Sequence, residues 1–310
     1  MRYGEDDRES DNVEDRRGED LGSRGGFAIP LGGGGLSLTS LLVLGAICLM
    51  LGINPLQLLS LTNGVPSLPR GDPAQPRRSV DDIPGLPGQR RIESHNDDMT
   101  HFVRRVLADT EDTWGRVFQA AGRRYVPPTL VLFSGATPTA CGNGVAAMGP
   151  FYCPFDQKVY IDLRFYDELK RRFQAPGDFA QAYVIAHEIG HHVQKLLGVA
   201  DKVQSRKERA GDQAAANALQ VRMELQADCL AGVWASLNDQ VKKRLQPGDV
   251  EAGLNAAAQI GDDTLQRRSQ GRVVPESFTH GSSAQRVTWF RKGLEGGQMS
   301  VCDTFGASDL

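Results

Sequence analysis

The sequence predicts an α+β fold, in which a small β-sheet is followed by long amphipathic helices, all placed behind an N-terminal membrane-spanning helix. Three observations predict it. Short β-like runs bounded by turn residues crowd between residues 129 and 163. Apolar residues then recur at helical spacing over Asp178 to Gly198 and again over Asp212 to Leu237. Ahead of both, Leu36 to Ile53 is a stretch of 18 residues without a charge, about 27 Å long as a helix and close to the thickness of a bilayer's hydrocarbon core.

The chain has 310 residues, 40% of them hydrophobic and 24% charged, enough for one or two domains with a real core. A net charge of -3 and the lack of any basic cluster interleaved with aromatics argue against a nucleic-acid partner. Residues 1 to 24 hold nine acidic and five basic residues and little that is apolar, so residues 1–35 read as a disordered acidic and glycine-rich tail. Arg16, Arg17 and Arg24 precede the apolar run and the next basic residue after it is Arg70. The positive-inside bias therefore places a single-pass helix at 36–56, the N-terminus in the cytoplasm and the remainder outside it. Six prolines between Thr62 and Asp97 make 57–96 an extended linker, and the folded domain is expected over 97–305.

Within that domain Phe102, Val106, Leu107, Trp114, Val117 and Phe118 mark one helical stripe, which Gly122 ends. Thr129 to Phe133, Gly144 to Tyr152 and Lys158 to Leu163 are β-like, and Pro154-Phe155-Asp156-Gln157 suggests a hairpin between the last two. Further helices are expected near Val250 to Arg268 and Ala284 to Gly293.

The helix over Asp178 to Gly198 organises the rest. Asp178 and Gln181 suit a capped start, Gly198 a left-handed end, and Ala182, Ile185, Ala186, Ile189, Val193 and Leu196 a buried stripe. A neighbouring stripe carries His187 and His191, one turn apart, so that two imidazoles can reach one ion. With Glu188 they make His-Glu-x-x-His, the arrangement of zinc peptidases: two neutral imidazoles hold the metal, a bound water becomes acidic near neutral pH, and Glu188 takes its proton.

A catalytic zinc needs a third protein ligand. A third histidine six residues after the second is excluded, because Leu197 stands there. A carboxylate on a later helix is the other common solution, and Glu224 and Asp228 share one helix face. Glu224 is assigned to the metal and Asp228 to the N–H of a ligating histidine, with Asp228 as rival ligand. His192, about 100° further round the helix, receives no role. His280 in Phe278-Thr279-His280-Gly281 is a candidate donor to the oxyanion of a carbonyl under attack, and Gly144 to Tyr152 a candidate edge strand for an extended peptide.

The blocks HEIGHH, ELQADCLAGVWA, GPFYCPFDQKVYIDL and FTHGSSAQRVTWF occur in this order in a pattern that resembles the bacterial putative neutral zinc metallopeptidase family. The resemblance covers most of residues 28 to 305 and leaves the acidic tail of residues 1 to 24 outside. It implies a zincin-like domain of the glutamate type with an N-terminal membrane segment. It also implies zinc ligands at His187, His191 and Glu224, a general base at Glu188 and a peptide or protein substrate. Two other readings stay open: an envelope protein with a structural zinc, and an amidase acting on cell-wall peptides. Apart from Cys48, four cysteines remain, and Cys141 with Cys153 is the favoured pair, leaving Cys229 with Cys302, out of three possible pairings.

Overall fold

Strand formation follows from alternate residues that must be buried on two different faces. The computed structural model describes residues 1–19, 89–171 and 177–308. Its main sheet has the order β1-β2-β6-β5, where β1 is Val13–Asp15, β2 Thr129–Leu132, β5 Phe151–Cys153 and β6 Lys158–Ile161. β1 and β2 run parallel, as do β2 and β6 with Leu130 opposite Val159, whereas β5 is antiparallel to β6 with Phe151 opposite Tyr160. Leu130, Leu132, Val159 and Ile161 face the helices, and Val131, Phe133, Tyr160 and Cys153 form a second cluster on the opposite side. A separate hairpin of β3 (Ala136–Thr139) and β4 (Gly142–Val145) precedes β5, and the turn from Pro154 to Gln157 closes the expected β5–β6 hairpin.

Eight α-helices lie among the described residues: α1 Gln89–Ala120, α2 Arg164–Arg171, α3 Asp178–Leu196, α4 Val199–Glu208, α5 Gln213–Lys242, α6 Asp249–Gln259, α7 Asp262–Gln270 and α8 Ser283–Gly296. α3 is surrounded. Phe179, Ala182, Tyr183, Ile185, Ile189 and Val193 are fully buried among α1, α5, α6 and the sheet, with Phe179, Ile185, Ile189 and Val193 each contributing on the order of 1.5–3 kcal/mol. α5 and α8 touch backbone to backbone: a Cβ on Gly232 would lie 2.1 Å from the Phe290 carbonyl oxygen, and one on Gly293 would lie 1.9 Å from that of Cys229. Both expected disulfides are present, Cys141–Cys153 and Cys229–Cys302.

Several expectations need correcting. Gly177, not Asp178, is the N-cap of α3, and Asp178 sits in its first turn, where a carboxylate still complements the helix dipole. The helix expected at 97–121 begins at Gln89, inside the stretch read as linker. The single helix expected over 250–268 is two, because the chain bends at Gly261, where a Cβ would lie 2.4 Å from the Ser283 nitrogen. α2 and α4 were not anticipated.

The acidic tail is the largest correction. Residues 1–19 are part of the fold: β1 adds to the sheet through its backbone, which needs no apolar side chains. Charge pairing does the rest. Arg244 forks onto Asp7 at 2.6 and 2.8 Å and onto buried Asp109 at 3.0 Å, while its guanidinium lies over the Tyr3 ring. Arg8 pairs with Glu111 and Asp112, and Ser10 and Asn12 donate to Glu111. High charge content marks disorder only where the charges lack partners, and here α1, Lys158 of β6 and Arg244 just beyond α5 supply them.

The same contacts overturn the single-pass topology. One crossing between residues 19 and 89 would put β1 and β2 on opposite sides of a bilayer, yet they are hydrogen-bonded neighbours. No helix among the described residues is long and apolar enough to cross a membrane, and the apolar run at 36–56 and most of the linker lie outside those residues. The placement of the N-terminus in the cytoplasm and of the domain outside it is therefore withdrawn.

Candidate metal centre

The centre is built where α3 and α5 come closest. A Cβ on Gly190 would lie 3.0 Å from the Ala227 carbonyl oxygen and 3.1 Å from its Cα, so any larger residue would have to push the Ala227 backbone aside by a few tenths of an ångström. Gly190 stands three residues after His187 and one before His191. Ala227 stands three after Glu224 and one before Asp228. The crossing thus aligns two imidazoles on one helix with two carboxylates on the other.

His187, His191 and Glu224 offer ligand atoms that all lie within 4.8 Å of one another. His187 Nε2 is 3.2 Å and His191 Nε2 3.4 Å from the same Glu224 oxygen, Oε2. Each of these side chains is held by its other polar atom. His187 Nδ1 donates to Asp228 at 2.8 Å, and Gln220 donates to Glu224 Oε1 at 2.7 Å. His191 Nδ1 lies 2.9 Å from Gln194 Oε1. Gln194 Nε2 is already committed as donor to the Met223 carbonyl and to Gln226, so its Oε1 accepts and His191 Nδ1 is the N–H. Both Nε2 atoms then present lone pairs toward a carboxylate oxygen. Three acceptors facing one another require a positive charge among them, and a borderline-soft divalent cation with N and O ligands meets that requirement.

The electrostatics agree. Burial alone would lower the pKa of His187, but Asp228 and Glu224 outweigh it and raise it to about 10, so the surrounding carboxylates favour positive charge at this position. Burial works to raise Asp228, yet Arg286 and His187 bring it to about 2. Burial raises the Glu188 carboxyl, against the opposing charges of His187 and His191. Asp228 is held from three sides: Tyr183 donates at 2.6 Å, and Arg286 donates through Nε and Nη2 at 2.9 Å each.

Tyr183, Arg286, Gln194 and Gln220 were not assigned from sequence. A signal for Arg286 exists, since a carboxylate such as Asp228 on a buried helix face needs a cation beyond one imidazole, and Arg286 is a charged residue on the otherwise apolar face of α8 with Trp289 and Phe290.

His187, Glu188, His191 and Glu224 line one cleft of about 720 Å³, together with His280 and the β5 residues. Asp262 holds His280 in its loop, accepting from the backbone N–H groups of Thr279, His280 and Gly281 and lying 3.2 Å from His280 Nδ1. That hydrogen bond, against burial, raises the His280 pKa. His192 is fully buried and bonded to the Tyr152 hydroxyl and to the Val126 carbonyl, a structural position away from the cleft floor.

Comparison with known proteins points to zinc only through a family name. The family model described as "Putative neutral zinc metallopeptidase" matches residues 1–305, so the acidic N-terminal segment lies inside the family pattern and not outside it. Protein YpfJ of Escherichia coli, described as uncharacterized, is 49% identical over 304 residues, which is 97% of this chain and 98% of its own. The uncharacterized proteins Rv2575 of Mycobacterium tuberculosis and Mb2605 of Mycobacterium bovis are each 43% identical over 223 residues, 69% of this chain and 74% of theirs. No solved structure matches. With residues from the first strand to the last turn covered by one model, the chain belongs to the putative neutral zinc metallopeptidase family.

Proposed function

We propose that this protein is a zinc-dependent peptidase whose metal is held by His187, His191 and Glu224 and whose general base is Glu188. The observation that carries the reading is the convergence of three lone-pair donors, each fixed by a second hydrogen bond, on the floor of a cleft that Glu188 also lines. Zinc, when bound, supplies Lewis acidity that polarises a carbonyl and lowers the pKa of water. The chain's own groups do the rest. Glu188 takes the proton of the attacking water and returns it to the leaving amine. His280, oriented by Asp262 through Nδ1, directs its other nitrogen to the carbonyl oxygen as negative charge grows there. Asp228 fixes the His187 tautomer, and Arg286 and Tyr183 keep Asp228 ionised and in place. β5 is one of the two outer strands of its sheet among the described residues and borders the cleft, so an extended peptide can lie along it.

Glu188→Gln tests the base. It should keep one zinc per chain while peptide turnover falls by about 10²- to 10⁴-fold. Turnover within twofold of the wild type with zinc retained would refute the assignment.

A further inference from the structure

We propose that the cleft selects extended peptide segments rich in large apolar residues, with Met148 and Phe155 as the residues that set this preference; the inference rests on the peptidase reading above. Large apolar side chains scattered singly over a surface are ordinary. These two are not scattered. Phe155 is 79% and Met148 65% exposed, the highest values among the exposed large apolar side chains of the described residues, and both line the cleft. Met148 ends the short turn Ala146–Met148 just before β5, and Phe155 sits in the turn that follows it, so the pair brackets that outer strand.

Their supports are fixed. Phe151 stacks on Tyr160 with ring centroids 4.9 Å apart, and the Cys141–Cys153 bridge ties the β3–β4 hairpin to β5. The wall is therefore presented ready-made, which limits the ordering cost of binding. Across the cleft Lys195 pairs with Asp201 at 2.7 Å, and Lys207 is held by a hydrogen bond to the neutral Gln220 amide at 2.7 Å. A segment with several large apolar residues in extended form is what an unfolded chain exposes and a folded one hides. The substrate class this implies is non-native protein or apolar peptide, not the polar surface loops of folded proteins.

The test uses the full-length zinc-loaded protein, the double variant M148S/F155S, and two fluorogenic decapeptides that differ only in carrying Leu and Phe or Ser and Gln at four positions. Both substituted side chains are exposed, so the fold should tolerate the change. Wild type should cleave the apolar peptide with kcat/KM at least tenfold above the polar one. The double variant should raise KM for the apolar peptide roughly tenfold or more, with kcat within about twofold, bringing the ratio near one. Equal cleavage of both peptides by wild type, or an unchanged ratio in the double variant, would overturn the proposal. Binding of the uncut peptides to Glu188→Gln, read by fluorescence anisotropy, separates the two readings. Apolar-selective binding that M148S/F155S abolishes supports the cleft assignment even where wild type cuts nothing, an outcome that sinks only the peptidase reading; no selective binding sinks the cleft assignment.

Discussion

The helical half of the molecule and the sheet half are built to opposite specifications. α3, α5 and α8 meet through glycines with backbones in contact, and the polar groups between them are buried and mutually satisfied: Asp228 with Arg286, Tyr183 and His187, and Gln194 with His191 and Met223. The strands, hairpin and turns on the other side of the cleft present apolar side chains to solvent. The contrast teaches a division of labour: the candidate metal ligands come from packed helices, and the exposed apolar side chains that the proposed reading assigns to substrate come from a rim.

The two disulfides offer the largest test of that division. Cys229–Cys302 joins residues 73 apart and clamps α5 to the C-terminal turn, so the double alanine variant should lose about 4 kcal/mol in a urea titration and lose zinc occupancy with it. Cys141–Cys153 joins residues 12 apart, and its removal should cost about 3 kcal/mol while zinc content stays at the wild-type level and KM for apolar peptides rises. Equal effects of the two on zinc would erase the distinction.

A smaller effect is expected from the helix crossing. Gly190→Ala should destabilise by about 1–3 kcal/mol and weaken zinc binding, because the neighbour that would have to move is the Ala227 backbone. Gly115→Ala, in α1 with open space around the added methyl, should be neutral or stabilising by up to about 1 kcal/mol. Paired thermal melts and a competitive zinc-chelator titration compare them.

The smallest effect concerns acid. Arg244 holds Asp7 below the usual carboxylate range, and Arg16 and Lys158 do the same for Glu14. Folded-state values below the unfolded ones mean that these contacts stabilise fully above about pH 4 and are lost as pH falls through the lowered values. Hydrogen exchange at β1 should therefore rise as pH falls below about 4, before that of α3 does. Simultaneous loss of protection in both would show that the N-terminal strand is no weaker than the core.

Much of this was legible in the sequence, for identifiable reasons. The His187 and His191 spacing, the one-face pairing of Glu224 with Asp228, the β5–β6 hairpin and the Cys141–Cys153 pair are local or nearly local features, and Cys229–Cys302, 73 residues apart, followed as the pair left over. What sequence missed is long-range. Arg286 meets Asp228 across 58 residues, and Arg244 meets Asp7 across 237, so neither partner marks the other in the chain. The acidic segment was misread because composition registers charge but not the charge that answers it. The close crossing at Gly190 was likewise invisible, since an unremarkable helical glycine reveals its purpose only when Ala227 is seen against it.

Zinc stoichiometry tests the central claim most directly. Mass-spectrometric metal analysis of the purified protein should give one zinc per chain for the wild type and less than about a tenth of that for Glu224→Gln, with the variant still folded by circular dichroism. A folded Glu224→Gln that retains a full equivalent of zinc would contradict the account.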